Sequence, residues 1–98
     1  MTLQTNSTSK VLEPRKSKRK YPEVRIIVLD DNFNTFENVA YSLVSIIPAI
    51  SEKRSWDIAI KVDREGSAEV WRGPLEQAEL YHQQLKSKGL TVAPIEKT

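Results

Sequence analysis

Six residues, Val24-Arg25-Ile26-Ile27-Val28-Leu29, constrain this chain more than any other segment. β-Branched and apolar side chains dominate them, with Arg25 marking one face. This is the signature of a central or half-buried strand, and we read one over residues 23–29. Asp30-Asp31-Asn32 stops it. The period then changes. Phe36, Val39, Ala40, Leu43, Ile46 and Ile47 recur at spacings of three and four, a single helical stripe, so a helix is predicted over 35–47. Asn34 is its expected N-cap, with Glu37 three residues on as the capping-box partner. Pro48 ends it.

The rest of the chain follows the same logic. Ser51 is a second N-cap, and a helix is expected over 52–63. Trp56, Ala59 and Ile60 lie on one face of it, with Ile58 and Val62 beside them. Gly66 suits the left-handed position that closes a helix. Residues 67–72 alternate, placing Ala68, Val70 and Arg72 on one side and Glu69 and Trp71 on the other. Trp71 is then either a partner anchor on the wet face or part of the core. Pro74 fits the first position of a helix over 74–88, whose stripe is Leu75, Ala78, Tyr81 or His82, and Leu85. Leu90, Val92 and Ile95 form a last strand, confined to an edge because Pro94 has no N–H to donate. The order β-α-α-β-α-β implies an α/β (α+β) two-layer sandwich with three helices on a three-stranded antiparallel sheet.

Charge divides the chain. Lys plus Arg is 15 and Asp plus Glu is 13, a net charge of +2. Residues 1–20 hold six basic residues and one acid, a net +5, and have no hydrophobic periodicity. They are expected to be a disordered basic extension, because they cannot bury enough surface to offset the entropy of ordering. Residues 21–98 form the folded domain and carry −3. Nucleic-acid binding by the body loses support, since its signature is a basic face on the domain itself.

Composition excludes further classes. With no cysteine and a single histidine, His82, neither a thiolate nucleophile nor a two-histidine metal site can be built. Three separated glycines, Gly66, Gly73 and Gly89, make no phosphate loop. Asp30, Asp31 and Asp63 lack the ligand count and spaced glycine of a calcium loop. No cofactor is expected, and the reading is not an enzyme. No apolar run approaches the ~20 residues of a membrane span. The N-terminus has no apolar core of a secretory signal. We expect a monomeric protein of a reducing compartment, the cytoplasm or, in a plant, the plastid stroma.

The most informative segment is Leu29-Asp30-Asp31-Asn32-Phe33-Asn34-Thr35-Phe36-Glu37, where acid and amide side chains crowd a strand-to-helix junction. Asx residues make turns and caps at such junctions. They also make a small anionic mouth beside an apolar helix face. Ionised carboxylates are pure acceptors, so such a mouth suits an ammonium group above other cations.

These residues, in this order, resemble the ClpS family of adaptors for the Clp ATP-dependent protease. The family motif Asn-Asp-Asp-x-Thr-Pro-Met-Glu-x-Val falls on Asp30-Asp31-Asn32-Phe33-Asn34-Thr35-Phe36-Glu37-Asn38-Val39. A second, Met-x-x-Val-His-x-x-Gly, falls on Ala59-Ile60-Lys61-Val62-Asp63-Arg64-Glu65-Gly66. Gln77-Ala78-Glu79-Leu80-Tyr81 through Leu85, then Gly89-Leu90-Thr91, resembles plant and cyanobacterial members. The resemblance spans residues 21–96. It implies a binding module that holds the first residue of a substrate (an N-degron) in an apolar pocket and grips its α-amino group. It also implies docking on the N-terminal domain of a ClpC- or ClpA-type unfoldase, with a flexible N-terminal extension taking part in delivery. By position, Asp30, Asp31, Asn32, Asn34 and Asp63 are expected at the amine. Thr35, Phe36, Val39, Ala59 and Val62 are expected in the apolar pocket, and Glu76, Glu79 and Tyr81 at the unfoldase.

The departures are specific. Asp30 replaces the family asparagine and Asp63 its histidine. Phe36 and Ala59 replace two pocket methionines, narrowing one wall and opening another. An altered preference is expected, leucine-like first residues foremost. The alternatives are a Clp-docking regulator that has lost N-degron binding, and a nucleic-acid or ribosome-associated module using the basic tail.

Overall fold

A computed structural model describes residues 23–98; the expected tail, residues 1–20, lies outside them. Strand β1 is Val24–Leu29. Helices α1 (Phe36–Ile46) and α2 (Glu52–Glu65) follow, then strand β2 (Ser67–Gly73) and helix α3 (Leu75–Ser87). The chain ends in two short strands, β3 (Thr91–Val92) and β4 (Glu96–Lys97). Every pairing is antiparallel, and β1 is the centre of the sheet.

Val24, Ile26 and Val28 alternate along β1 and are all buried. They meet Val39, Ala40, Leu43 and Ile47 from the first helical stripe, Ile58, Ala59 and Val62 from α2, and Ala78 and Leu85 from α3, in one core. The other face of β1 is wet. There Arg25 donates to Glu96 at 2.9 Å and to Glu69 at 3.5 Å, while Arg72 donates to Glu69 at 2.8 Å. Pairs this exposed contribute roughly 0–1 kcal/mol each. They do hold the Glu69 carboxyl below its ordinary pKa, Arg72 being the main cause.

Several expectations change. The last strand is not one segment over 90–95. Pro94 divides it, and β3 and β4 pair separately with the two ends of β1, giving four strands rather than three. Ala93 N–H still reaches Ile27 O at 2.9 Å between them. The cap of α1 is Thr35, not Asn34. The Thr35 hydroxyl accepts Asn38 N–H at 3.0 Å, because the Asn34 side chain is engaged elsewhere. Pro74 stands one place earlier than expected, at the N-cap of α3, with the extended ψ of 149°. Ser51 and Gly66 do close α2 as expected, Gly66 at φ 90°. The buried face of α2 is Ser55, Ile58, Ala59 and Val62, which leaves Trp56 (42 % exposed) and Ile60 at the surface.

The largest local correction is in β2. The register with β1 slips between Ile26, opposite Trp71, and Ile27, opposite Glu69, so Val70 is an extra residue. A bulge of this kind breaks the alternation. Glu69 and Arg72, three apart, therefore meet on the wet face. Trp71 turns to the core, its ring 5.1 Å edge-on from Tyr81 and folded over Gly73. Arg72 is not beside Ala68 and Val70, and Trp71 is not a wet-face anchor.

Candidate functional site: an acid-rimmed depression between two helices

Two devices fix the β1–α1 loop, one against the end of α2 and one against the turn after α3. The left-handed Gly66 turns its carbonyl onto Asp30 N–H at 2.9 Å. The second device is Asp31, which organises residues 30–34. One oxygen, Oδ1, accepts both Phe33 N–H and Asn34 N–H at 2.8 Å. The other, Oδ2, accepts Asn34 Nδ2 at 2.8 Å and the Thr91 hydroxyl at 2.7 Å. The same Asn34 amide donates to Gly89 O at 2.9 Å, and its oxygen accepts from Asn38 Nδ2. The loop is thereby tied to the turn after α3. With this many donors, the Asp31 carboxyl is held well below the usual carboxylate range, the Thr91 hydroxyl being the largest cause.

The result is a small depression lined by Asp30, Asn34, Thr35, Phe36, Val39, Ala59, Val62 and Asp63. Val39, Ala59 and Val62 are buried and form its apolar floor. Phe36, 41 % exposed, is a wall open to solvent. Asp30 and Asp63 are exposed, and their carboxylates make no hydrogen bond or ion pair among the described residues. Asn34 has one lone pair of its oxygen uncommitted, since a carbonyl oxygen accepts two hydrogen bonds and only Asn38 is present. Its volume is about 20 Å³, space on the scale of one water molecule. Three acceptors around an apolar floor suit a group with several donors joined to an apolar body.

Eight of the ten residues expected around a bound amine and its side chain thus share one concavity. Asp31 and Asn32 do not line it. Asp31 spends its oxygens on the loop and on Thr91, and Asn32 is exposed. Of the three residues expected at a partner, Glu76 and Glu79 are exposed one turn apart on α3, while Tyr81 packs its ring against Trp71. Thr91, Gly89 and the carbonyl of Gly66 are supports that residue type alone does not reveal. The Gly89-Leu90-Thr91 triplet stood out in the sequence, but its partner lies sixty positions away.

A second and larger concavity of about 250 Å³ lies between α1 and α2, lined by Glu37, Ala40, Tyr41, Val44, Glu52, Ser55 and Trp56. Its acids stand on separate helices rather than converging. Among the described residues no group of three or more His, Cys, Asp or Glu side chains could hold a metal ion. No helix among them is long and apolar enough to cross a membrane.

Residues 19–93 match the family model of the ATP-dependent Clp protease adaptor protein ClpS. The chain belongs to the ClpS family. ClpS adapter proteins of cyanobacteria are similar along most of its length. That of Nostoc sp. is 48 % identical over 92 % of this chain and 97 % of the relative. That of Synechocystis sp. is 50 % identical over 82 % of each. A chloroplastic ClpS adapter of Arabidopsis thaliana is 34 % identical over 78 % of this chain and 48 % of the relative. The fold is also that of Agrobacterium tumefaciens ClpS2 solved with L-phenylalaninamide. The TM-score is 0.72 at 20 % identity, over 79 % of this chain and 98 % of that one. This ClpS chain is an adaptor of the Clp protease.

Proposed function

We propose that this adaptor holds the N-terminal residue of a substrate in the Asp30–Asp63 depression and presents that substrate to a Clp unfoldase. One observation carries the reading. The acceptors Asp30, Asn34 and Asp63 stand at the rim of a floor made by Val39, Ala59 and Val62. An N-terminal ammonium has three donors and a neighbouring side chain, and acceptors set around an apolar floor support the reading of such a group. L-phenylalaninamide, the ligand of the Agrobacterium relative, has the same design: a free α-amino group on an apolar body. Two carboxylates at the rim, where the family motif has an asparagine and a histidine, favour a cation more strongly than neutral groups do.

Phe36 occupies one wall and Ala59 is a small side chain in the floor, which favours leucine-like first residues over indole or phenol rings. Glu76 and Glu79 are the contacts for the N-terminal domain of a ClpC- or ClpA-type unfoldase. Residues 1–20 serve as an extension in delivery. The cyanobacterial and chloroplastic relatives fit a cytoplasmic or stromal setting.

Fluorescence polarisation with peptides beginning in Leu, Phe, Tyr, Trp or Met tests the reading. Leu should bind best and N-acetylation should abolish binding. Binding indifferent to N-acetylation would reject it. The small volume favours one other reading, a regulator that docks on the unfoldase without holding a substrate. Capture of the Clp N-domain by a protein that binds none of the peptides would establish that instead.

A further inference from the structure

The β1–α1 loop carries one feature that the depression does not use. Phe33 is 91 % exposed, the barest large apolar side chain among the described residues. Its backbone is nonetheless pinned. Phe33 N–H and Asn34 N–H both donate to Asp31 Oδ1, and Asn34 is held from Gly89 O on its far side. The next residue, Asn34, and Asp30 three places earlier both line the depression. Leu29 before the loop and Phe36 after it are also exposed, so apolar surface recurs along this rim.

We propose that Phe33 is the contact for the second residue of the substrate chain, and that it selects apolar side chains there. The inference rests on the reading that the first residue occupies the depression. Consecutive Cα atoms are about 3.8 Å apart, and successive side chains of an extended chain point to opposite sides. With the first side chain inside, the second is directed away from the floor and over the rim. Phe33, between the lining residues Asp30 and Asn34 in the chain, is the most exposed apolar side chain of this rim segment. With its backbone held in advance, the loop has only the ring's own rotamers left to order on contact. The rim carboxylates Asp30 and Asp63 repel an acidic second residue.

The test is a polarisation titration of the full chain, Phe33→Ala and Phe33→Tyr, with peptides beginning Leu-Ala, Leu-Leu, Leu-Trp and Leu-Glu. Wild type should favour Leu-Leu and Leu-Trp over Leu-Ala by roughly three- to tenfold, the scale of partly burying a large apolar side chain. Leu-Glu should be weakest. Phe33→Ala should bring Leu-Leu and Leu-Trp to the level of Leu-Ala, leaving Leu-Ala itself within about twofold. Phe33→Tyr should keep the preference. A preference that survives in Phe33→Ala overturns the proposal. So does an equal loss for all peptides, or lost capture of the Clp N-domain with peptide ratios unchanged. If wild type binds no peptide with a free amino terminus, the N-terminal-residue reading falls as well, which separates the two failures.

Discussion

The Thr91 hydroxyl donates to the Asp31 carboxylate at 2.7 Å across sixty positions of sequence. This bond, with the Asn34 amide on Gly89 O, fastens one rim of the depression to the turn after α3. Asp31 is therefore a support of the site rather than one of its surfaces.

Asp31→Ala should destabilise the domain by about 1–2 kcal/mol, the scale of losing charge-assisted hydrogen bonds at a partly solvated position. The folded-state pKa of Asp31 lies below its unfolded value. Its contribution is thus complete above the unfolded carboxylate value, ~3.9, and is lost as pH falls through that range toward the folded value. Denaturant melts should show a constant gap between wild type and Asp31→Ala above about pH 5, narrowing in acid. A gap that widens as pH falls contradicts this linkage.

Thr91→Val removes only the hydroxyl. If the bond positions the rim, Thr91→Val and Asp31→Ala should be non-additive, with a coupling of about 0.5–1.5 kcal/mol in a double-mutant cycle. Leu-first peptide affinity should fall a few-fold in both. Strict additivity would show that the two groups act separately.

Gly73→Ala tests the bulge. A Cβ there would stand 2.6 Å and 2.7 Å from two ring atoms of Trp71, within a buried strand end. Either the ring or the backbone must move, at about 1–3 kcal/mol. Loss of the Trp71–Tyr81 edge contact should alter the near-ultraviolet circular dichroism, while Trp56, on another element, is unaffected.

Asp30→Asn and Asp63→Asn should each weaken binding of peptides with a free N-terminus about tenfold, corresponding to ~1.4 kcal/mol. Thermal stability should change little, because neither carboxylate has a partner among the described residues. Tightened binding in both variants would mean that the rim does not hold an ammonium group.

Phe36→Ala should enlarge the depression and raise the affinity of Trp- and Tyr-first peptides relative to Leu-first ones. A panel of five first residues reads this as a change of rank order. An unchanged rank would remove Phe36 from the pocket wall.

Most elements of the fold are legible in local periodicity. The strand of Val24, Ile26 and Val28, the Val39–Ile47 stripe, and the closures at Ser51 and Gly66 follow from rules that act within a few residues. The candidate pocket residues were also legible, through motif position rather than chemistry, because Asp30 and Asp63 are far apart in the chain and near only when Gly66 turns its carbonyl to Asp30. Three things were decided by tertiary structure alone. Val70 became an extra residue, which sent Trp71 inward and Arg72 outward, because strand register depends on the partner strand. The last strand became two, because β3 and β4 pair with opposite ends of β1. Asp31 left the pocket and Thr35 took the cap, because Thr91 and Gly89 claimed Asp31 and Asn34 from sixty and fifty-five positions away. Local patterns set which segments form helix or strand. Which polar side chains stay free at the rim depends on which distant donors reach them first.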